Sequence, residues 1–328
     1  MTSSPDFHRL IGPNSIMEVE TAVRNFLMTL QSVYLLSDFS IMKSILPWVY
    51  RSYMSHGFHQ EYFLRNLECT REELQDRFPE PAAGEFCSCI EWMLNHHADN
   101  LEKSSIPLES YIASAEGTDK DIHRRREILQ ALLNNQHDAL TALLEEIEAL
   151  KGISTYDSDV RPVMYEIGQL WELNRISVSE EHAASAMITD YLVRNAPRDS
   201  VTAKRKILVT PTVNEYHKIG AQMVANAFRD KGWFVRYLGA GTPEDAILDT
   251  IETFRPDAAA LSIGLITRVG ALTSMVSAIQ SRFPDLTIVV GGKFIDENPG
   301  VAARLNVHSI SHGLKDLPDE VRSIINGN

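Results

Sequence analysis

Apolar residues recur at spacings of three and four in Val19, Val23, Phe26, Leu27 and Leu30, which is one face of an amphipathic helix. No alternating strand pattern interrupts residues 14–103, so an all-helical domain is expected over 1–103, with further helices at 38–56, 59–77 and 82–103. His56-Gly57 and Pro79-Glu80-Pro81 punctuate it, because glycine permits left-handed geometry and proline disfavours helix continuation. The polar, broken stretch from Ser104 to Thr118 reads as a linker. A second helical unit over 119–197 predicts helices near 120–134, 137–150, 156–174 and 178–196, which suit a four-helix bundle. Ser177 or Ser179 ahead of Glu180 and Glu181 supplies an N-terminal cap with acids in the first turn of the last helix. From residue 203 the period changes. Short apolar runs at Ile207–Val209, Phe234–Leu238, Ala258–Ile263, Thr287–Val290 and Val307–Ile310 alternate with helical segments. That alternation predicts an α/β doubly wound, Rossmann-like domain over 203–328 with five parallel strands. Such sheets bind ligands beyond the carboxyl ends of their strands, which singles out 210–220, 239–243, 262–267 and 291–294.

Composition narrows the function. A chain of 328 residues with 44% hydrophobic content can bury two or three cores. A net charge of −13 argues against direct nucleic-acid binding, which needs a basic surface, and favours a small-molecule or protein partner. No stretch approaches the roughly 18 apolar residues of a membrane span, and Met1–Asp6 lacks the layout of a signal peptide, so a cytoplasmic location is expected. Three cysteines, Cys69, Cys87 and Cys89, lack the spacing of a zinc site or a disulfide framework.

The chemistry concentrates in Glu215-Tyr216-His217-Lys218-Ile219-Gly220, in the loop after the first strand. A loop histidine alone says little. Ser262 at the end of the third strand and Gly291-Gly292 at the end of the fourth place three features on one edge of the sheet. Together they resemble the B12-binding domain shared by cobalamin-dependent methionine synthase, corrinoid methyl carriers, B12 mutases and CarH-type photoreceptors. The signature of that domain is Asp-x-His-x-x-Gly, then Ser-x-Leu, then Gly-Gly. The resemblance implies His217 as lower axial ligand to cobalt, with Glu215 fixing its tautomer. It also implies Gly220, Ser262, Gly291 and Gly292 around a buried nucleotide tail. Two positions depart from the signature: Glu215 replaces aspartate, and Gly264 stands where leucine is usual.

In the bundle, Trp171 is followed after nine residues by Glu181-His182. The tryptophan and the acid pair also fit ordinary core and helix-start positions. Beside a B12 domain, the pattern resembles the cap of CarH-type light sensors, which implies Trp171, Val178, Glu181, His182 and Ser185 around the upper face of adenosylcobalamin. Those receptors carry a histidine directly after the tryptophan; here it is Glu172, which leaves His182 as the alternative second donor.

Residues 1–103 show no DNA-reading helix-turn-helix pattern but are rich in aromatics and histidines. A helical module ahead of a cap and a B12 domain is similar in layout to photocobilins, which pair B12 with a bilin. Arg51, His96 and His97 are the candidate contacts for biliverdin. The expectation is therefore a non-enzymatic photoreceptor acting through cobalt–carbon cleavage and a change of homo-oligomeric state or of protein partner. A corrinoid methyl carrier and a B12-binding antirepressor are the alternatives.

Overall fold

The computed structural model describes residues 6–200, 202–309 and 313–327. The chain forms two compact units, and the first is discontinuous: it comprises Met1–Glu109 together with Gln169–Ser177. Its helices are α1 (Phe7–Ile11), α2 (Ile16–Leu35), α3 (Met42–Ser55), α4 (Glu61–Arg77), α5 (Ala82–Asn95) and α6 (His97–Ser104). Ser15 starts α2 through a capping box, its hydroxyl accepting from Glu18 N at 3.3 Å while the Glu18 carboxylate accepts from Ser15 N at 2.6 Å. The single helix expected over 82–103 is two helices, because the backbone leaves helical geometry at His96 (φ −106°, ψ 15°). Tyr50 and Phe63 stack with ring centroids 3.8 Å apart in a core that also buries Leu46, Tyr62, Ile90 and Met93.

Residues 169–177 join this unit through specific bonds. Gln169 donates to Glu109 O (3.0 Å) and Asn174 donates to Ser55 O (3.1 Å). Arg51 and Glu172, both largely buried, pair at 3.4 Å.

The second unit comprises Ser110–Gly168 and Val178–Asn328. It opens with α7 (Tyr111–Ser114), a short helix inside the stretch expected to be a linker. Ser110 caps it, and Glu166 accepts from both Ser110 Oγ (2.9 Å) and Ile112 N (3.3 Å). Then follow α8 (Asp119–Leu133), α9 (His137–Lys151), a π-helical turn over Tyr156–Val160 that leads into α10 (Arg161–Glu172), and α11 (Val178–Arg194). Their registers agree closely with the apolar period of the sequence.

A buried charge cluster ties these helices together. Arg125, fully buried, donates to Ser158 O (2.6 Å), Ala115 O (3.0 Å), Ile112 O (3.3 Å) and Glu116 O (2.5 Å). Its Nε lies 3.9 Å from the buried Asp159, which also pairs with Lys151 at 2.9 Å. Lys151 in turn reaches Asp121 at 2.8 Å. The Lys151 ammonium, then the Thr118 N–H and hydroxyl, hold the Asp121 carboxyl well below the usual carboxylate range. A depressed pKa in the folded state gives stability that is complete above the unfolded value of about 3.9 and is lost as pH falls below it. Calorimetry should therefore show the wild-type midpoint falling more steeply than that of Asp121→Asn between about pH 5 and about pH 2; parallel curves would refute the assignment.

The sheet contains β1 (Lys206–Pro211), β2 (Phe234–Tyr237), β3 (Ala258–Ser262), β4 (Thr287–Gly291) and β5 (His308–Ser309). The helices of this region are α12 (Ile219–Asp230), α13 (Glu244–Phe254), α14 (Val269–Arg282), α15 (Lys293–Glu297), α16 (Gly300–Arg304) and α17 (Leu317–Ile325). All strand pairs are parallel, in the order β2-β1-β3-β4-β5. Ile310, expected at the end of the last strand, lies outside the described residues. The inner strands read as apolar runs because helices cover both faces: Ile207–Val209 and Ala258–Leu261 are buried throughout. The direction of winding reverses between β1 and β3, so the crevice of the fold opens at their carboxyl ends. Asn226 of α12, fully buried, donates to Leu192 O of α11 at 2.8 Å and joins the bundle to the sheet. No helix among the described residues is long and apolar enough to cross a membrane.

Candidate ligand site at the carboxyl edge of the sheet

The loop from β1 to α12 turns back on itself through Asn214 (φ 61°) and delivers Glu215 into the crevice between β1 and β3. Glu215 is 1% exposed and accepts four hydrogen bonds. Its Oε1 takes His217 Nδ1 (2.5 Å) and His217 N (3.0 Å), while Oε2 takes the N–H groups of Gly264 (2.9 Å) and Leu265 (3.3 Å). The carboxylate thus links the loop after β1 to the loop after β3. It also fixes the imidazole with Nδ1 toward the protein. The His217 side chain is still 66% exposed, which turns its other nitrogen, Nε2, toward whatever occupies the crevice.

Electrostatics reinforce the pair. Burial alone would raise the Glu215 carboxyl, but the His217 ring and the His217 and Gly264 N–H groups hold it below its ordinary value. The Glu215 bond raises the His217 imidazole against its own desolvation; Glu181 adds to the rise and Arg268 opposes it. Glu181 and Arg268 therefore act on the same imidazole, although neither is near it in sequence.

The other expected site residues fall as follows. Ser262 pairs with Gly291 across β3 and β4, and its carbonyl accepts from Thr212 N at 2.9 Å. Gly292 is required by the protein itself: its φ is +103°, and a Cβ there would meet Ile263 O at 2.5 Å. Gly220, in the first turn of α12, faces open space, since a Cβ would meet nothing within 4 Å. On α11, Ser185 Oγ (2.7 Å) and His182 Nδ1 (2.8 Å) bracket the Glu181 carboxylate, and His182 Nδ1 also lies 2.9 Å from Val178 O. Val178 and His182 are exposed.

Trp171 clusters with the first unit, its ring 5.4 Å from that of His56. Arg51 spends all three guanidinium nitrogens within the protein, on Ser104 O (3.0 Å), Lys103 O (3.2 Å) and Glu172 (3.4 Å). His97 Nδ1 meets Tyr50 OH at 2.9 Å, and burial lowers its pKa. His96 stacks on Trp92 at 4.3 Å and bonds Trp92 O through Nδ1 (2.8 Å).

Two residues at the edge were not evident from the sequence. Thr212 Oγ1 is buried without a hydrogen-bond partner among the described residues, and so is Arg268 Nε. Both belong to a set of buried polar atoms without a partner among the described residues that also includes Trp233 Nε1 and Thr273 Oγ1. A threonine in a loop and an arginine at the end of a 3-10 turn carry no sequence signal of that kind. Only the fold, by setting them beside Ser262 and His217, distinguishes them.

Residues 205–307 match a family model described as a B12 binding domain, and residues 124–192 match a second model of the same description. The chain is similar to two HTH-type transcriptional repressors of Myxococcus xanthus. It is 28% identical to CarA over 158 residues (47% of this chain, 53% of CarA) and 24% identical to CarH over 186 residues (56% of this chain, 62% of CarH). It therefore spans little more than half the length of these relatives. In fold it is similar to the monomethylamine corrinoid protein of Methanosarcina barkeri, with a TM-score of 0.51 at 11% identity over 60% of this chain and 96% of that one. Residues 205–307 are thus a B12-binding domain of Rossmann-like fold, preceded by a helical region.

Proposed function

We propose that the chain is a light sensor loaded with adenosylcobalamin, not an enzyme, and that it signals by changing its own assembly or its contact with a protein partner. The observation that carries the cofactor assignment is the Glu215–His217 pair at the β1/β3 switch point. An imidazole held through Nδ1 by a buried carboxylate presents Nε2 as an oriented nitrogen donor, which suits cobalt. The unsatisfied Thr212 hydroxyl and Arg268 Nε, with open space at Gly220, fit a bulky ligand carrying hydrogen-bonding groups. The residues present therefore fit cobalamin. Adenosylcobalamin would supply a cobalt–carbon bond that light cleaves.

The remaining roles belong to the chain. His217 would hold the cobalt through Nε2, and Ser262, Thr212 and Gly291 would line the site. The spacing from Trp171 to Glu181-His182, similar to that of CarH-type caps, favours a sensor over a corrinoid methyl carrier. Glu172 cannot take the place of the histidine that follows the tryptophan in those receptors, because it is buried against Arg51. His182, exposed on α11, is the proposed second donor in the light. The net charge of −13 favours a protein contact over DNA as the output.

Absorption spectra recorded in darkness and under green light test this reading. A sensor bleaches when loaded with adenosylcobalamin, and His182→Ala should alter the illuminated spectrum alone. A carrier would instead prefer methylcobalamin and exchange methyl groups with a partner, and that result would overturn the proposal. Purification from cells supplied with biliverdin tests a bilin, which would show as a band in the red. Arg51 and the Nδ1 atoms of His96 and His97 are engaged inside the first unit, so variants at these three positions test whether they contribute to such a band.

A further inference from the structure

We infer that Gly264 is a positioning residue for His217, acting through Glu215: the side chain missing at 264 is the space that the long glutamate carboxylate occupies. The inference rests on the reading of His217 as a cobalt ligand. Glycine at 264 is not demanded by the backbone, whose φ is not in the left-handed region, in contrast to Gly292 at +103°. What excludes a side chain is the dyad itself. A Cβ on residue 264 would meet Glu215 Oε2 at 3.3 Å, His217 Nδ1 at 3.4 Å and His217 Cβ at 3.5 Å. The first of these is tighter than nearly all ordinary Cβ contacts, so the carboxylate would have to give by a few tenths of an ångström.

The carboxylate has no freedom to yield. An ionised carboxylate offers about four acceptor positions, and Glu215 uses them on two backbone N–H groups of one loop and on the ring and backbone N–H of His217 in the other. Moving it by the few tenths of an ångström that a Cβ at 264 would require lengthens its bonds on one side or the other. Shortening it to aspartate withdraws it by about one carbon–carbon bond, roughly 1.5 Å, which is enough to release either His217 or the amides of Gly264 and Leu265. Length at 215 and bulk at 264 therefore compensate each other. A shorter acid leaves room for a side chain at 264 that the glutamate carboxylate crowds.

A double-mutant cycle on the full chain tests the coupling, with hydroxocobalamin as probe. Glu215→Asp and Gly264→Leu should each weaken binding by about tenfold, as loss of a partner behind a metal-ligating histidine does. The combined variant should return to within about threefold of wild type. The second readout is the ring ¹⁵N signal of His217 in the cofactor-free protein. Each single variant should lose the Nδ1-protonated form and the double variant should regain it, a rescue that a merely structural glycine would not give. If leucine prevents folding, Gly264→Ala should move the same signal in the same direction. Effects that multiply in the double variant, or a ring signal unmoved in both single variants, would overturn the inference. A failure of His217 as ligand is read separately, from the cobalt spectrum of His217→Ala, because the ring signal needs no cofactor.

Discussion

His217→Ala is expected to weaken cobalamin binding roughly a hundredfold or more, beyond the ten- to hundredfold that removal of an outer partner of a metal ligand costs. The cobalt absorption bands should shift at the same time, because the lower nitrogen donor is gone. The change should leave the fold intact, since two thirds of the His217 side chain is exposed and only its Nδ1 contact is structural. The thermal midpoint of the cofactor-free protein is therefore the control. It should move little, although Glu215 then loses the positive partner that offsets its burial. A variant that retains the wild-type cobalt spectrum would remove His217 from the metal and with it the assignment that organises the site.

The second large effect lies in the helical bundle, on α8. Arg125→Ala should destabilise the second unit by about 3–5 kcal/mol, the range found when one partner of a buried ion pair is removed. Arg125 answers four carbonyls, those of Ile112, Ala115, Glu116 and Ser158, and stands beside the buried Asp159. Removing it leaves those oxygens without their donor and Asp159 with Lys151 as its remaining cation. Arg125→Met keeps much of the volume and so separates the polar loss from the cavity. If calorimetry gives both variants a loss below about 1 kcal/mol, the cluster does not hold the π-helical turn in place.

Much of this architecture is legible along the chain. Helices and strands with one clear period, such as Val19–Leu30 or Ile207–Val209, declare themselves because burial of one face, or of both, is written in every few residues. The Glu215–His217 pair is legible too, since a separation of two residues is local. Bonds that join distant segments are not. Nothing in the sequence indicates that Arg51 meets Glu172, 121 residues away, so the arginine reads as free to bind an acidic chromophore when it is already committed. The two departures from the B12-domain signature, Glu215 and Gly264, look like independent irregularities when read 49 residues apart. In the folded chain they are one exchange of volume. The break at His96 was equally hidden, because the apolar period continues across it while the backbone does not.

The helix α10 begins in one compact unit and ends in the other, since Gln169–Ser177 cluster with the amino-terminal helices. The amino-terminal helices are consequently not a detachable cassette. A fusion or swap that cuts once near residue 109 would carry away α1 to α6 and leave behind the nine residues that complete their unit. Any transplant of these amino-terminal helices onto another B12 domain must be a two-point graft that brings Gln169–Ser177 along, and recombination at a single junction near residue 109 should give an amino-terminal unit that is incomplete and a second unit that carries nine orphaned residues.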